Sequence, residues 1–202
     1  QGLEEMDKIA AQTLDETFRT ALSGDSKDYR ESSSSLMFAF ILALILIYLI
    51  LAAQFESFKD PFIIMLTVPL AIAGALIFMY AGGITMNIFS QIGIIMLIGL
   101  VAKNGILIVE FANQKQEGGE NKMQAIRDAA LQRLRPILMT SASTVLGLIP
   151  LAFATGEGAN QRIAMGTAVV GGMLVSTFLT MYIVPAIYSY ISTNRNVKTE
   201  IV

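Results

Sequence analysis

The chain has 202 residues, of which 54% are hydrophobic and only 15% charged, with a net charge of −2. That balance exceeds the apolar content of an ordinary soluble domain and points to a membrane class. It offers no clustered basic surface for nucleic acid, and the absence of cysteine and histidine excludes disulfides, thiolate or imidazole metal sites and every Cys- or His-based nucleophile.

Residues 1–31 are polar and mixed in charge, without the basic start and apolar core of a signal peptide. Leu3, Met6, Ile9, Ala10 and Leu14 make an amphipathic helical pattern, and Phe18 to Leu22 suits a short strand; the segment is too small to close a core alone. The chain starts without Met, so it is read as a fragment or a processed product.

Residues 32–194 are expected to form a membrane domain. Leu36 to Ala53 is uncharged and apolar, close to the roughly 20 residues a helix needs to cross a hydrocarbon core. Pro61 to Ala102 carries no charge over about twice that length, with Gly82, Gly83 and Asn87 supplying turn chemistry in its middle. Pro136 to Gly156 and Ile163 to Asn194 are again uncharged. Spans are therefore placed near 34–53, 61–81, 88–111, 136–156 and 163–191, with a tail at 195–202. Pro69, Pro150 and Pro185 are read as ordinary packing kinks, which membrane helices tolerate.

Short Lys/Arg-rich loops stay cytoplasmic. The third connection carries Lys115, Lys122, Arg127, Arg133 and Arg135, whereas Gly82 to Asn87 carries no basic residue. The basic loop and the C-terminal tail are therefore expected in the cytoplasm, and the N-terminal segment outside. Between Gly118-Gly119 and the fourth span, Met123, Ile126, Ala130, Leu131 and Leu134 recur at helical spacing, which predicts an amphipathic helix near 121–134 lying against headgroups or in solvent.

Lys103 interrupts the third span between Gly99 and Gly105. A mid-span lysine costs about 2.5–3.5 kcal/mol to insert and should face a counter-charge, unless it snorkels or is neutral. Glu110 is seven residues on, about 10 Å along a helix, near the end of the third span, and the five spans hold no other Asp or Glu. The counter-charge is therefore expected on a helix outside this chain. On the fourth span Thr140, Thr144 and Gly147 share a face. Their hydroxyls either serve a moving ammonium or water, or bond their own helix carbonyls. Arg133 and Arg135 read as cytoplasmic anchors. Gly93, Gly99, Gly105, Gly166, Gly171 and Gly172 permit close helix approach.

The stretch Leu51 to Ser57 (LAAQFES), the run Gly99 to Ala112 (GLVAKNGILIVEFA) and Arg133 to Ser141 (RLRPILMTS) together resemble the resistance-nodulation-division (RND) transporters, and within them the hydrophobe and amphiphile efflux branch. The resemblance implies an all-α membrane protein, five transmembrane helices of an RND bundle preceded by the end of a periplasmic α/β porter subdomain. It implies a proton relay of Lys103, Thr140 and Arg133, with two aspartates on a helix that precedes this sequence. It also implies no cofactor beyond the proton motive force, an inner-membrane homotrimer, and partnership with a periplasmic adaptor and an outer-membrane channel. Two other readings stay open: a truncated, non-transporting membrane scaffold, and an intramembrane enzyme, for which the spans hold no base to activate their serines.

Overall fold

The computed structural model describes residues 2–14, 21, 23 and 25–193. The strand expected at Phe18 to Leu22 and the tail at 195–202 lie outside the described residues, apart from Ala21. The order is α1 (Gly2–Thr13), α2 (Asp25–Phe55), α3 (Lys59–Met65), α4 (Thr67–Ala81), α5 (Ile88–Glu117), α6 (Lys122–Ala152) and α7 (Ala159–Ile191), with no strand among the described residues. Met6 and Ile9 of α1 are exposed.

Five stretches are long and apolar enough to cross a membrane: Ser35–Phe55, Lys59–Ala81, Ile88–Glu117, Lys122–Ala152 and Ala159–Ile191. The chain runs up and down through them. One end of the bundle, here the basic end, holds the Glu56 to Phe58 turn, the Gly118 to Asn121 turn and Ser192. The other, neutral end holds the Gly82 to Asn87 and Phe153 to Gly158 turns.

The turns form where the sequence allows reversal. Gly83 takes a left-handed φ of 64°, and the Ile84 N–H returns to the Met79 carbonyl at 2.9 Å, closing α4. Asn87 then opens α5 with a reciprocal cap: its Oδ1 accepts from the Ser90 N–H and the Ser90 Oγ accepts from the Asn87 N–H, both at 2.9 Å. Gly119, at φ 92°, makes the reversal at the basic end, and Asn121 caps α6.

Only one of the three prolines singled out interrupts its helix. Pro69 has no N–H for the Met65 carbonyl and its ring crowds that group, so α3 stops at Met65 and α4 begins at Thr67. The Thr67 hydroxyl donates to the Ile64 carbonyl at 2.7 Å across the joint. α6 and α7 run through Pro150 and Pro185.

The amphipathic helix expected near 121–134 and the span expected from 136 form one helix, α6, which passes through Pro136. The buried positions Ala125, Ile126, Ala129, Ile137 and Ser141 continue a single stripe across the proline. At 31 residues α6 is about 46 Å long, against a hydrocarbon core of about 30 Å, so its charged first turns extend past the apolar layer rather than folding back along it.

α7 is the hub, packing on α3, α4, α5 and α6. The approach is close because glycines remove the intervening side chain. A Cβ on Gly172 would lie 2.1 Å from Leu97 Cδ2 and 2.9 Å from the Ala71 carbonyl oxygen; one on Gly166 would lie 2.6 Å from the Ala152 nitrogen. Two cores result. Ala71, Ala75, Met79, Leu97, Val101, Ala168 and Val169 fill one; Ile63, Ile64, Ile108, Ile137, Val184 and Tyr188 belong to the other, toward the basic end. α2 touches only α3 and α5 appreciably and leaves most of its apolar surface exposed.

Candidate functional site

Lys103 stands midway along α5 on a face that no described residue covers. Ile92, Met96, Gly99, Lys103 and Gln114 are exposed along one stripe, while Leu97, Val101, Asn104, Ile108 and Ala112 are buried along the opposite one. Lys103 makes no hydrogen bond or ion pair among the described residues. Glu110 stays two turns away on the same helix.

Behind Lys103 the three central helices are tied by buried polar groups. Asn104 Nδ2 donates to Ser141 Oγ at 3.3 Å, and Thr177 Oγ1 lies 3.1 Å from the same oxygen. Asn104 is 1% and Thr177 3% exposed, so water does not satisfy them and the cluster fixes the level of α5 against α6 and α7. Asn104 follows Lys103 and Ser141 follows Thr140 by one position. Lys103 and Thr140 are thereby placed at the same depth on neighbouring helices.

Thr140, Thr144 and Gly147 do share one face of α6, with Thr140 and Gly147 exposed and Thr144 half-buried, and two turns earlier the half-buried Arg133 lies on the same face. The Thr140 hydroxyl donates to the Ile137 carbonyl at 3.1 Å and the Thr144 hydroxyl to the Thr140 carbonyl at 2.8 Å. Of the two uses open to them, the structure has the local one. These bonds are easily exchanged, because a hydroxyl that donates to its own helix keeps its lone pairs available.

Arg133 is about 10 Å along α6 from Thr140 and does not reach Lys103. Its guanidinium stacks 4.4 Å from the centroid of the Phe111 ring, with the Lys115 ammonium 5.9 Å from the same ring. This is cation–π contact. The Arg133 Nε is buried and lacks a hydrogen-bond acceptor among the described residues.

Sequence reasoning missed Asp60. Falling between the spans expected at 34–53 and 61–81, it sits in the first turn of α3 and is only 2% exposed. Asn113 and Ser192, which donate to it, are 53 and 132 positions away, so no local pattern announced them. Asn113 is ten residues beyond Lys103, about 15 Å along α5, so Asp60 is not the missing counter-charge. No group of three carboxylates converges among the described residues as a metal site would require.

A bundle of five membrane-length helical stretches, α7 at its hub, with a bare lysine at mid-depth, defines the membrane part of a multi-pass protein. The family model of the AcrB/AcrD/AcrF family matches residues 1–192, and the chain belongs to that family. An uncharacterized transporter of Haemophilus influenzae is 42% identical over 193 residues, covering 92% of this chain and 19% of its own length. The toluene efflux pump membrane transporter TtgB of Pseudomonas putida is 38% identical over 192 residues, 95% of this chain and 18% of its own. The multidrug resistance protein MdtF of Escherichia coli is 43% identical over 158 residues, 78% of this chain and 15% of its own. The chain thus spans less than a fifth of the length of these relatives.

Proposed function

We propose that this chain is the C-terminal membrane portion of a proton-driven efflux pump that expels hydrophobic or amphiphilic compounds, and that Lys103 couples proton entry to transport. The observation that carries the reading is a charged group at mid-depth on an otherwise apolar, uncovered helix face. Such a charge is costly and is retained where it does work. Intramembrane carboxylates elsewhere in the pump cover this face. When they are protonated their attraction for Lys103 weakens, and its ammonium turns toward Thr140, which stands at the same depth. Arg133, fixed on Phe111, completes the relay toward the basic end.

In this reading the pump lies in the bacterial inner membrane, with the basic end in the cytoplasm and residues 1–31 completing a periplasmic porter subdomain. It works as a homotrimer with a periplasmic adaptor and an outer-membrane channel. The coupling is a shift between two helix arrangements that protonation favours unequally. Family membership and the names of the relatives support the efflux class.

The test uses the complete pump in a bacterial host stripped of its own efflux systems. Expression is expected to lower the accumulation of an amphiphilic dye severalfold, and a protonophore should restore it. Dye accumulation lowered equally with the protonophore present would contradict proton drive.

A further inference from the structure

The buried cluster around Asp60 joins α3, α5, α6 and α7 at the basic end, a second polar tie beyond the mid-depth bonds of Asn104, Ser141 and Thr177. Asp60 Oδ2 accepts from Asn113 Nδ2 at 3.0 Å and Oδ1 accepts from Ser192 Oγ at 3.2 Å. The Tyr188 hydroxyl donates to Asn113 Oδ1, and Gln116 Nε2 donates to the Tyr188 oxygen at 2.7 Å. Lys122 Nζ donates to the Ser192 carbonyl at 2.6 Å. α3 contributes Asp60, α5 Asn113 and Gln116, α6 Lys122, and α7 Tyr188 with Ser192 just beyond its end. Gln116 and Tyr188 are fully buried and none of Asp60, Asn113 and Ser192 exceeds 6% exposure.

Two features make this more than packing. The chain has one direction, each amide or hydroxyl donating toward the carboxylate, so its members cannot exchange partners without leaving a buried group unsatisfied. And it occurs at one end only. At the neutral end α5 meets α7 through Gly93, where a Cβ would lie 3.0 Å from the Met165 carbonyl oxygen, with no side-chain hydrogen bond between those helices there among the described residues. Shape-matched apolar contacts slide or rock at small cost, whereas a broken buried polar network exposes several unpaired groups at once.

We propose that Asp60 is a positioning residue: its carboxylate closes a latch that keeps the basic ends of α3, α5, α6 and α7 as one body, so that Lys103 moves by rocking about this end and not by α5 sliding along α7. The inference builds on the transport reading, but the distance measurement below does not depend on proton drive. Asp60→Asn keeps the latch, because the amide oxygen still accepts from Asn113 and its nitrogen can donate to Ser192 Oγ. Asp60→Leu cannot.

The experiment places spin labels at Glu117→Cys and Thr193→Cys, both exposed at the basic end, in the reconstituted complete pump. The distance is read at rest, with substrate, and with an imposed pH gradient. One narrow distance in all three conditions is expected, retained in Asp60→Asn with transport within twofold of the parent. In Asp60→Leu the distribution should broaden and transport fall at least tenfold. A distance in the parent pump that changes between conditions would overturn the latch, whatever becomes of the variants. So would Asp60→Asn losing transport at an unchanged distance, which would assign the role to the charge, or Asp60→Leu altering neither readout.

Discussion

Lys103→Met in the complete pump is expected to bring drug tolerance down to that of cells without the pump, at an undiminished amount of protein in the membrane. Methionine keeps the length of the side chain and removes the ammonium, and with it an insertion cost of about 2.5–3.5 kcal/mol. Folding and assembly should not suffer. Lys103→Arg keeps the charge but spreads it over a planar group with fixed donor directions, and it should not restore transport. Susceptibility testing beside immunoblots of membrane fractions separates the two effects. Full tolerance in the methionine variant would remove Lys103 from the coupling.

The second large effect belongs to packing. Gly166→Leu should prevent the α6–α7 hairpin from closing, because the first added carbon already meets the Ala152 nitrogen at 2.6 Å and the Leu151 carbonyl carbon at 2.8 Å. Both are backbone atoms and cannot rotate away. Overpacking of this kind costs about 3 kcal/mol or more. Gly147→Ala is the control, since nothing described lies within 4 Å of the added Cβ. Thermal unfolding in detergent should show a large loss of midpoint for the first and little change for the second. A large loss for Gly147→Ala instead would mean that another helix of the complete pump presses on that face.

These two sites differ in how far the sequence disclosed them. Lys103 was legible because a single charge inside an apolar run is conspicuous whatever surrounds it, and its want of an acidic neighbour could be checked position by position. Thr140 was legible as a position but not in its bonding, since a hydroxyl on a helix can face either way. The glycines were visible as small residues, but only coordinates separate Gly166, pressed against backbone, from Gly99, which has open space. The fusion of α6 was misjudged because Pro136 was taken as a boundary. The stripe Ala125, Ala129, Ile137, Ser141 passing through it was the contrary signal, and one lost N–H does not end a membrane helix. Asp60 was invisible because its neighbours in sequence are those of a turn and the groups that donate to it come from α5 and from just beyond the end of α7.

The same contrast orders the chemistry. At the basic end Asp60, Asn113, Gln116, Tyr188 and Ser192 bond one another within this chain. At mid-depth Asn104, Ser141 and Thr177 do so on the inner side, while Lys103 faces outward. A charge at mid-depth that meets no hydrogen-bond or ion-pair partner among the described residues is left to answer to something beyond this bundle.

Proton movement in proteoliposomes holding the complete pump tests this most directly. With a pH-sensitive dye inside the vesicles, the parent pump is expected to show a proton flux that starts when substrate is added, and Lys103→Met should show none. Substrate-dependent proton flux that persists in Lys103→Met would contradict the account.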